Sequence, residues 1–441
     1  MKEKFMNGML AVATTMNGQR HLAAIRNSFM NLLPIIIIGS FCTLFTNVVT
    51  STKEGFMSIA NIPGMGFLEN IQPMFTAANY ATMNFLAIGI VILLANELGE
   101  SYGIKDKGLP LIALGAYISL CATTIVITSS GSGEAITVSN ILSSSYTNAQ
   151  GLFVGMFSAI AATEIYCRLV KSKKLAINMP DSVPANVARS FEILFPAAIT
   201  ILAISGIGMV FEMIVGMSLF DAIAKFVQAP LSNVLTGLPG FMFFVFMTTL
   251  LWIFGIHGTQ TLKAVSEPIL IAALAQNEAA YAAGQAIPNI ISRPFLNNYA
   301  IVTGAGVTGG LLIAIFLFSK RKDYRTIGKL AIPCGIFNIN EPLIFGLPIV
   351  LNPLLAIPFM LTPVITSAFA YFMTSIGFAG RLVVNAPWTT PLGIQAFLAS
   401  GGSIGAVVTQ ILVVLISAAI YTPFILAANR QAENDEVEEV A

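Results

Sequence analysis

The chain has 441 residues, of which 56% are hydrophobic and only 10% charged, with a formal net charge of +1. A soluble domain carries about 25% charged residues, so this chain has too little polar surface to cover itself, and its mean hydropathy of +0.81 places it in a membrane. No basic patch with interleaved aromatics occurs, which leaves nucleic acid out as a partner.

Residues 1–30, "MKEKFMNGMLAVATTMNGQRHLAAIRNSFM", contain no cleavable signal peptide. Their Met, Leu, Ala and Ile residues mix with Arg20, His21 and Arg26, which fits a helix lying on the membrane surface or a cytoplasmic lead-in to the first span. A crossing helix needs about 20 mainly apolar residues. Segments near 29–50, 80–98, 109–128, 150–170 and 190–217 meet that need in the first half. Lys2, Lys4, Arg20 and Arg26 precede the first of them, Lys105 and Lys107 follow the second, and Arg168, Lys171, Lys173, Lys174 and Arg189 follow the fourth. The intervening loops hold only Lys53, so the basic residues alternate with loop parity and the N-terminus is expected in the cytoplasm. The Ser-, Thr- and Asn-rich stretch 129–150 reads as a short ordered external loop.

Residues 218–238 read as a connecting interfacial segment, after which the pattern loses its regularity. Segments 239–256 and 299–319 are apolar enough to span, and "SKRKDYR" (319–325) marks a cytoplasmic loop. The stretch between them is too polar for simple spans. Prolines at 333, 342, 348, 353, 358 and 363 exclude one straight helix over 331–363. A last span near 403–427 precedes the acidic tail 431–441, expected to be disordered and cytoplasmic. The expectation is an all-α polytopic membrane protein with about ten transmembrane helices, interfacial helices and broken or re-entrant elements after residue 256. Residues 1–217 look like a scaffold half, and 239–430 like a binding half. Irregular backbone survives at membrane depth only where protein or a water-filled cavity satisfies it, and transporters use such breaks as substrate sites.

Glu341, in "GIFNINEPLIFGLPIVLNP", is the strongest candidate. A charge at the bilayer centre costs about 2.5–3.5 kcal/mol even on a lenient scale, so a carboxylate there has a binding or chemical task, or else caps a helix or pairs with a buried cation. Asn338 and Asn340 beside it suit hydroxyl-rich ligands. His257, in "WIFGIHGTQ", ends an apolar span between Gly255 and Gly258, glycines that permit a turn or the close approach of a ligand. A histidine satisfied by a neighbouring carbonyl is the other reading. Trp388, in "NAPWTTP", could stack on a sugar ring or sit as an interfacial belt residue. Arg293 is a binding candidate or the partner of a nearby carboxylate. Glu97, Glu164, Glu192 and Glu212 read as inter-helix contacts or as snorkelling side chains.

Cys42, Cys121, Cys167 and Cys334 stand apart in or beside apolar segments and read as packing residues. No metal set, cofactor motif or P-loop is present, so energy must come from an ion gradient or a separate protein.

Three segments, "NMPDSVPANVARSFEILFP" (178–196), "LLWIFGIHGTQ" (250–260) and "KRKDYRTIGKLAIPCGIFNINEPLIFGLPIVLNP" (320–353), supported by "NAPWTTP", resemble the IIC component of bacterial phosphotransferase-system sugar transporters, in the lactose/cellobiose/diacetylchitobiose branch. The resemblance runs essentially end to end. It implies a homodimer in the bacterial cell membrane, with both termini cytoplasmic, five N-terminal spans at the dimer interface, and two re-entrant hairpins in a C-terminal sugar-binding domain. It also implies a disaccharide substrate, a phosphocysteine-bearing IIB partner supplied by an upstream IIA, and phosphorylation during uptake. By it, His257 and Glu341 contact the hydroxyl to be phosphorylated, with Glu341 the better candidate for general base. Asn340, Trp388, Thr259 and Gln260 are further contacts. With only the acidic tail after the last span, a separate IIB of the cellobiose or diacetylchitobiose type is expected. The rival reading is an ion-coupled sugar symporter with Glu341 as its proton site.

Overall fold

The computed structural model describes residues 19–52, 58–128, 135–172, 174–177, 180, 183–347, 349 and 353–440. The expectations for residues 1–18, Lys53, the loop tip 129–134, Lys173 and Pro348 lie outside them. Five helical stretches are long and apolar enough to cross a bilayer, Arg20–Val49, Ala149–Ser172, Val187–Val215, Leu354–Ser375 and Ile404–Ala432, and up to eight if each of three bent pairs is one span. The chain forms two compact units, each described here by itself.

The first unit holds the described residues of Gly18–Ile36 and Asn79–Leu231. It contains the start of α1 (Arg20–Leu44), so the described lead-in Arg20–Arg26 is the first two turns of a helix that continues into the first span. Helix α2 (Leu86–Ser101) packs against α3 (Leu109–Ile118) and α4 (Leu152–Ser172), and α4 packs against α5 (Leu194–Val215). Leu86, Ile90, Leu94 and Leu98 recur every fourth residue, fall on one helix face and are fully buried. Gly155 lets α4 approach closely, since a Cβ there would lie 3.0 Å from Val91 Cγ2.

Carboxylates tie the helices of this unit together, as their sequence positions led us to expect. Glu97 accepts from Asn27 and Asn31 of α1, each at 3.1 Å. Glu164 is bonded to His21 at 2.8 Å, to Tyr102, and to Arg168 at 3.1 Å. The expected span 109–128 is corrected: α3 has 10 residues, and Thr124–Thr128 forms β1, antiparallel to β2 (Ala135–Ser139). The run "TTIVIT" explains the switch, because consecutive β-branched residues favour extended backbone.

The second unit holds the described residues of Ile37–Ala78 and Ser232–Ala441. It groups Ile37–Ala78 with the C-terminal half, whereas the sequence reading has 1–217 as scaffold, 218–238 as connection and 239–430 as binding half. Phe41, Leu44 and Val48 pack with Tyr281, Val383, Val384 and Leu398, and Ser40 donates a hydrogen bond to Glu278. The rest comprises α6 (Leu238–Ile253), α7 (Gly258–Thr261), α8 (Lys263–Ala282), α9 (Gly309–Phe318), α10 (Lys322–Gly335), α11 (Glu341–Gly346), α12 (Pro353–Ser375) and α13 (Ile404–Val440). Helices α9 and α12 pack on α13, and α6 packs on α12, around Leu311, Ile315, Leu343, Leu355, Phe359 and Tyr421.

One expectation holds in this unit and two change. No straight helix covers 331–363, where α10 ends at Gly335 and α11 at Gly346, although Pro358 and Pro363 lie inside the 23-residue α12. Membrane helices tolerate proline where neighbouring helices and local adjustments satisfy the freed carbonyls. The stretch 299–319 is not one straight helix, because the chain bends by 52° between Arg293–Val307 and Gly309–Phe318. Thr303, Gly304, Gly306 and Val307 have φ of 60, 94, 78 and 52°, a conformation β-branched residues resist. Two hydroxyls of α13 hold the turn: Tyr421 donates to Gly306 O at 3.0 Å and Ser417 to Val307 O at 2.6 Å. Finally, the acidic tail continues α13 to Val440, since its Ala, Gln and Glu residues extend a helix already nucleated upstream.

Candidate functional site

The site is built from interruptions in three apolar segments of the second unit. The first follows α6, where Gly255 takes φ of +76° and the chain reverses, with Ile256 N donating to Leu251 O at 3.1 Å. His257 then caps α7, its Nδ1 accepting the Gln260 N–H at 3.3 Å. That bond leaves the proton on Nε2, so the ring is neutral and presents an Nε2–H donor. Thr259 Oγ1 lies 3.5 Å from the same Nδ1. The roles of the two flanking glycines separate here. Gly255 makes the turn, while Gly258 is required by backbone, since a Cβ there would lie 1.9 Å from Thr248 O.

The second interruption joins α10 to α11. Asn338 takes φ of +64°, which asparagine tolerates better than most residues. Its Oδ1 accepts from Thr303 N at 2.8 Å, and its Nδ2 donates to Trp388 O at 2.7 Å and Thr390 O at 2.8 Å. Asn340 Nδ2 donates to Ala305 O at 2.7 Å and Thr308 Oγ1 at 2.8 Å. The two amides therefore bind the 303–308 turn and the "NAPWTTP" loop to the Glu341 turn. Asn340, expected at the sugar, has both amide hydrogens committed to this framework.

Glu341 opens α11 in its first turn, where the helix dipole favours a negative charge. Its half-buried carboxylate takes no hydrogen bond from the described residues. Its charge acts on the His257 ring, so the two residues singled out in separate motifs share one neighbourhood. Trp388, on the third interruption, is 47% exposed, and Asn338 holds its backbone. Gln260 supplies the cap of His257 through its backbone and is half-buried. Arg293 is engaged elsewhere, at 3.0 Å from the buried Glu267, so its ion-pair reading is the one the geometry shows.

Sequence reasoning missed Trp252. It is 4% exposed, its ring centroid lies 4.3 Å from that of His257, and its indole N–H has no partner among the described residues. A buried donor left open beside a candidate base awaits an acceptor. The signal was present in the "W" of "WIFGIH", but inside a hydrophobic run it reads as core. Taken together, the arrangement offers a carboxylate acceptor, an imidazole donor, an indole donor and an exposed aromatic face, a set suited to a polyhydroxylated ring.

A family model described as "Phosphotransferase system, EIIC" matches residues 26–363. The chain is 34% identical to the oligo-beta-mannoside-specific EIIC component of Bacillus subtilis (strain 168), over 98% of this chain and 94% of that one. It is 32% identical to the cellobiose-specific EIIC component of Geobacillus stearothermophilus, covering 97% and 94% of the two chains. Its structure is similar to the crystal structure of the transporter ChbC, the IIC component from the N,N'-diacetylchitobiose-specific phosphotransferase system, with a TM-score of 0.88, 33% identity, and 97% and 98% coverage. With the family model, full-length relatives and shared fold in agreement, the chain belongs to the EIIC family of the phosphotransferase system, whose members are membrane-embedded sugar permeases.

Proposed function

We propose that the chain carries a β-linked disaccharide, of the cellobiose, diacetylchitobiose or lactose kind, and presents its C6 hydroxyl to a phosphorylated IIB protein that is recharged by IIA. The observation that carries this reading is the shared neighbourhood of His257 and Glu341, each on a backbone break within a matched motif. Glu341 accepts the hydroxyl proton, His257 donates from Nε2, Trp252 donates from its indole, and Trp388 stacks on a ring. Thr259 and Gln260 line the His257 turn, and Asn340 positions Glu341. Phosphoryl transfer depends largely on such positioning.

In this reading the enzyme is the complex, and the chain alone is its permease. It has about ten spans and two re-entrant hairpins at the broken segments, in the bacterial cell membrane with both termini cytoplasmic. Residues 1–217 form the scaffold, 218–238 the connection and 239–430 the sugar-binding half, with Ile37–Ala78 grouped beside the latter. The scaffold pairs in a homodimer, and Leu202, Met213 and Ile214 of α5, which are 70, 78 and 79% exposed in the single chain, suit a surface covered by lipid or by a second copy.

The test uses cells expressing the chain with its IIA and IIB partners and fed labelled cellobiose. Phosphorylated label that still accumulates with a protonophore present is the expected result. Free sugar inside, lost when the proton gradient collapses, would establish the symporter instead.

A further inference from the structure

One set of charges near His257 has no task in binding a neutral sugar. Lys263 Nζ lies 3.5 Å from Glu267 Oε1, and Arg293 Nε lies 3.0 Å from Glu267 Oε2. The side chains are only 12, 3 and 14% exposed in the order Lys263, Glu267, Arg293. Two buried cations share one carboxylate here, and buried charges persist only where they are paired.

Lys263 stands six positions after His257 at the start of α8, and α7 and α8 are in contact. Lys263 and Glu341 both act on the His257 ring, with opposite sign. Counted together with the neutral imidazole, Lys263, Arg293, Glu267 and Glu341 sum to zero. That balance suits an uncharged disaccharide.

The reaction upsets the balance in one direction. The O–P bond to the sugar forms as the S–P bond to the IIB cysteine breaks. The hydroxyl proton passes to Glu341, and the sulfur leaves with the electron pair as a thiolate. The sugar now carries a dianionic phosphate, while the residues around it have gained one positive charge.

We propose that Lys263, held in place by the Glu267–Arg293 pair, is the cation that faces the phosphoryl group on the C6 oxygen, so that the site prefers the phosphorylated sugar to the free one. The proposal rests on the phosphotransfer reading above. Lys263 touches the transferred group, whereas Glu267 and Arg293 are positioning residues that act through it.

The experiment is calorimetric titration of the full chain in lipid nanodiscs with cellobiose, N,N'-diacetylchitobiose and their 6-phosphates. The wild-type chain should bind a 6-phosphate more tightly than its free sugar. Lys263→Gln should weaken the 6-phosphate by about 10- to 100-fold more than the free sugar, the range for one hydrogen bond to a charged group. Lys263→Arg should restore most of the preference. Equal weakening of both ligands by Lys263→Gln, or of neither, overturns the proposal, as does a wild-type chain with no preference for the phosphate. The last outcome is read without any variant. Wild-type protein that binds none of the free disaccharides overturns the sugar reading itself, and the proposal with it.

Discussion

Asn338 is the residue through which the framework of the site is most open to challenge. Its side chain makes three hydrogen bonds, to Thr303 N, Trp388 O and Thr390 O, at 2.7–2.8 Å. Its backbone sits at φ of +64°, and the residue is buried. Replacing it with alanine removes all three bonds, at about 1 kcal/mol each, and keeps a Cβ in the left-handed region without asparagine's better tolerance of it. The expected loss for Asn338→Ala is therefore about 3 kcal/mol. Asn338→Gly loses the same bonds without the steric penalty and should recover about 1 kcal/mol of that. Thermal unfolding of the purified protein in detergent gives the ranking, and sugar titration gives the functional effect. Once Asn338 no longer holds the Trp388 backbone, affinity should fall in both variants even at temperatures where they remain folded. A midpoint and an affinity both equal to wild type in Asn338→Ala would refute the clamp.

Other outcomes follow from the same geometry. Glu341→Gln should keep most of the sugar affinity but slow phosphorylation by about 10²–10⁴-fold, the usual contribution of a general base; unchanged phosphorylation by the purified system would remove that role. Gly258→Ala should abolish folded protein on size-exclusion chromatography, because its Cβ would lie 1.9 Å from Thr248 O. Glu267→Ala should destabilise the protein by about 3–5 kcal/mol by taking the shared carboxylate from Lys263 and Arg293, and Glu267→Ala combined with Arg293→Ala should be milder than the single change in the same unfolding assay.

Much of the site was legible because burial makes polar residues conspicuous in an apolar sequence. Glu341 and His257 stand out by charge and by their flanking glycines and prolines, and both lie on breaks in helices. Three kinds of signal were hidden. Trp252 is apolar by composition, and only the orphaned N–H reveals it. Lys263 and Glu267 lie four apart in a stretch too polar to read as a simple span, while the structure pairs them along a 20-residue helix. The break at 301–308 sits in "IVTGAGVT", which hydropathy scores as span. Its left-handed residues are fixed by hydroxyls from α13, more than a hundred positions later in the chain. Proline signalled that 331–363 holds no one straight helix, yet α12 accommodates two of them within a packed helix.

The phosphoryl group itself offers the most direct test. The purified chain would be reconstituted in vesicles with IIB carrying a radiolabelled phosphocysteine, and cellobiose or N,N'-diacetylchitobiose supplied on the opposite face. The account predicts that one turnover moves the label from the cysteine to the sugar on the IIB side, with Glu341→Gln blocking the transfer while still binding the sugar. Sugar that crosses the membrane unlabelled while IIB keeps its phosphate would contradict it.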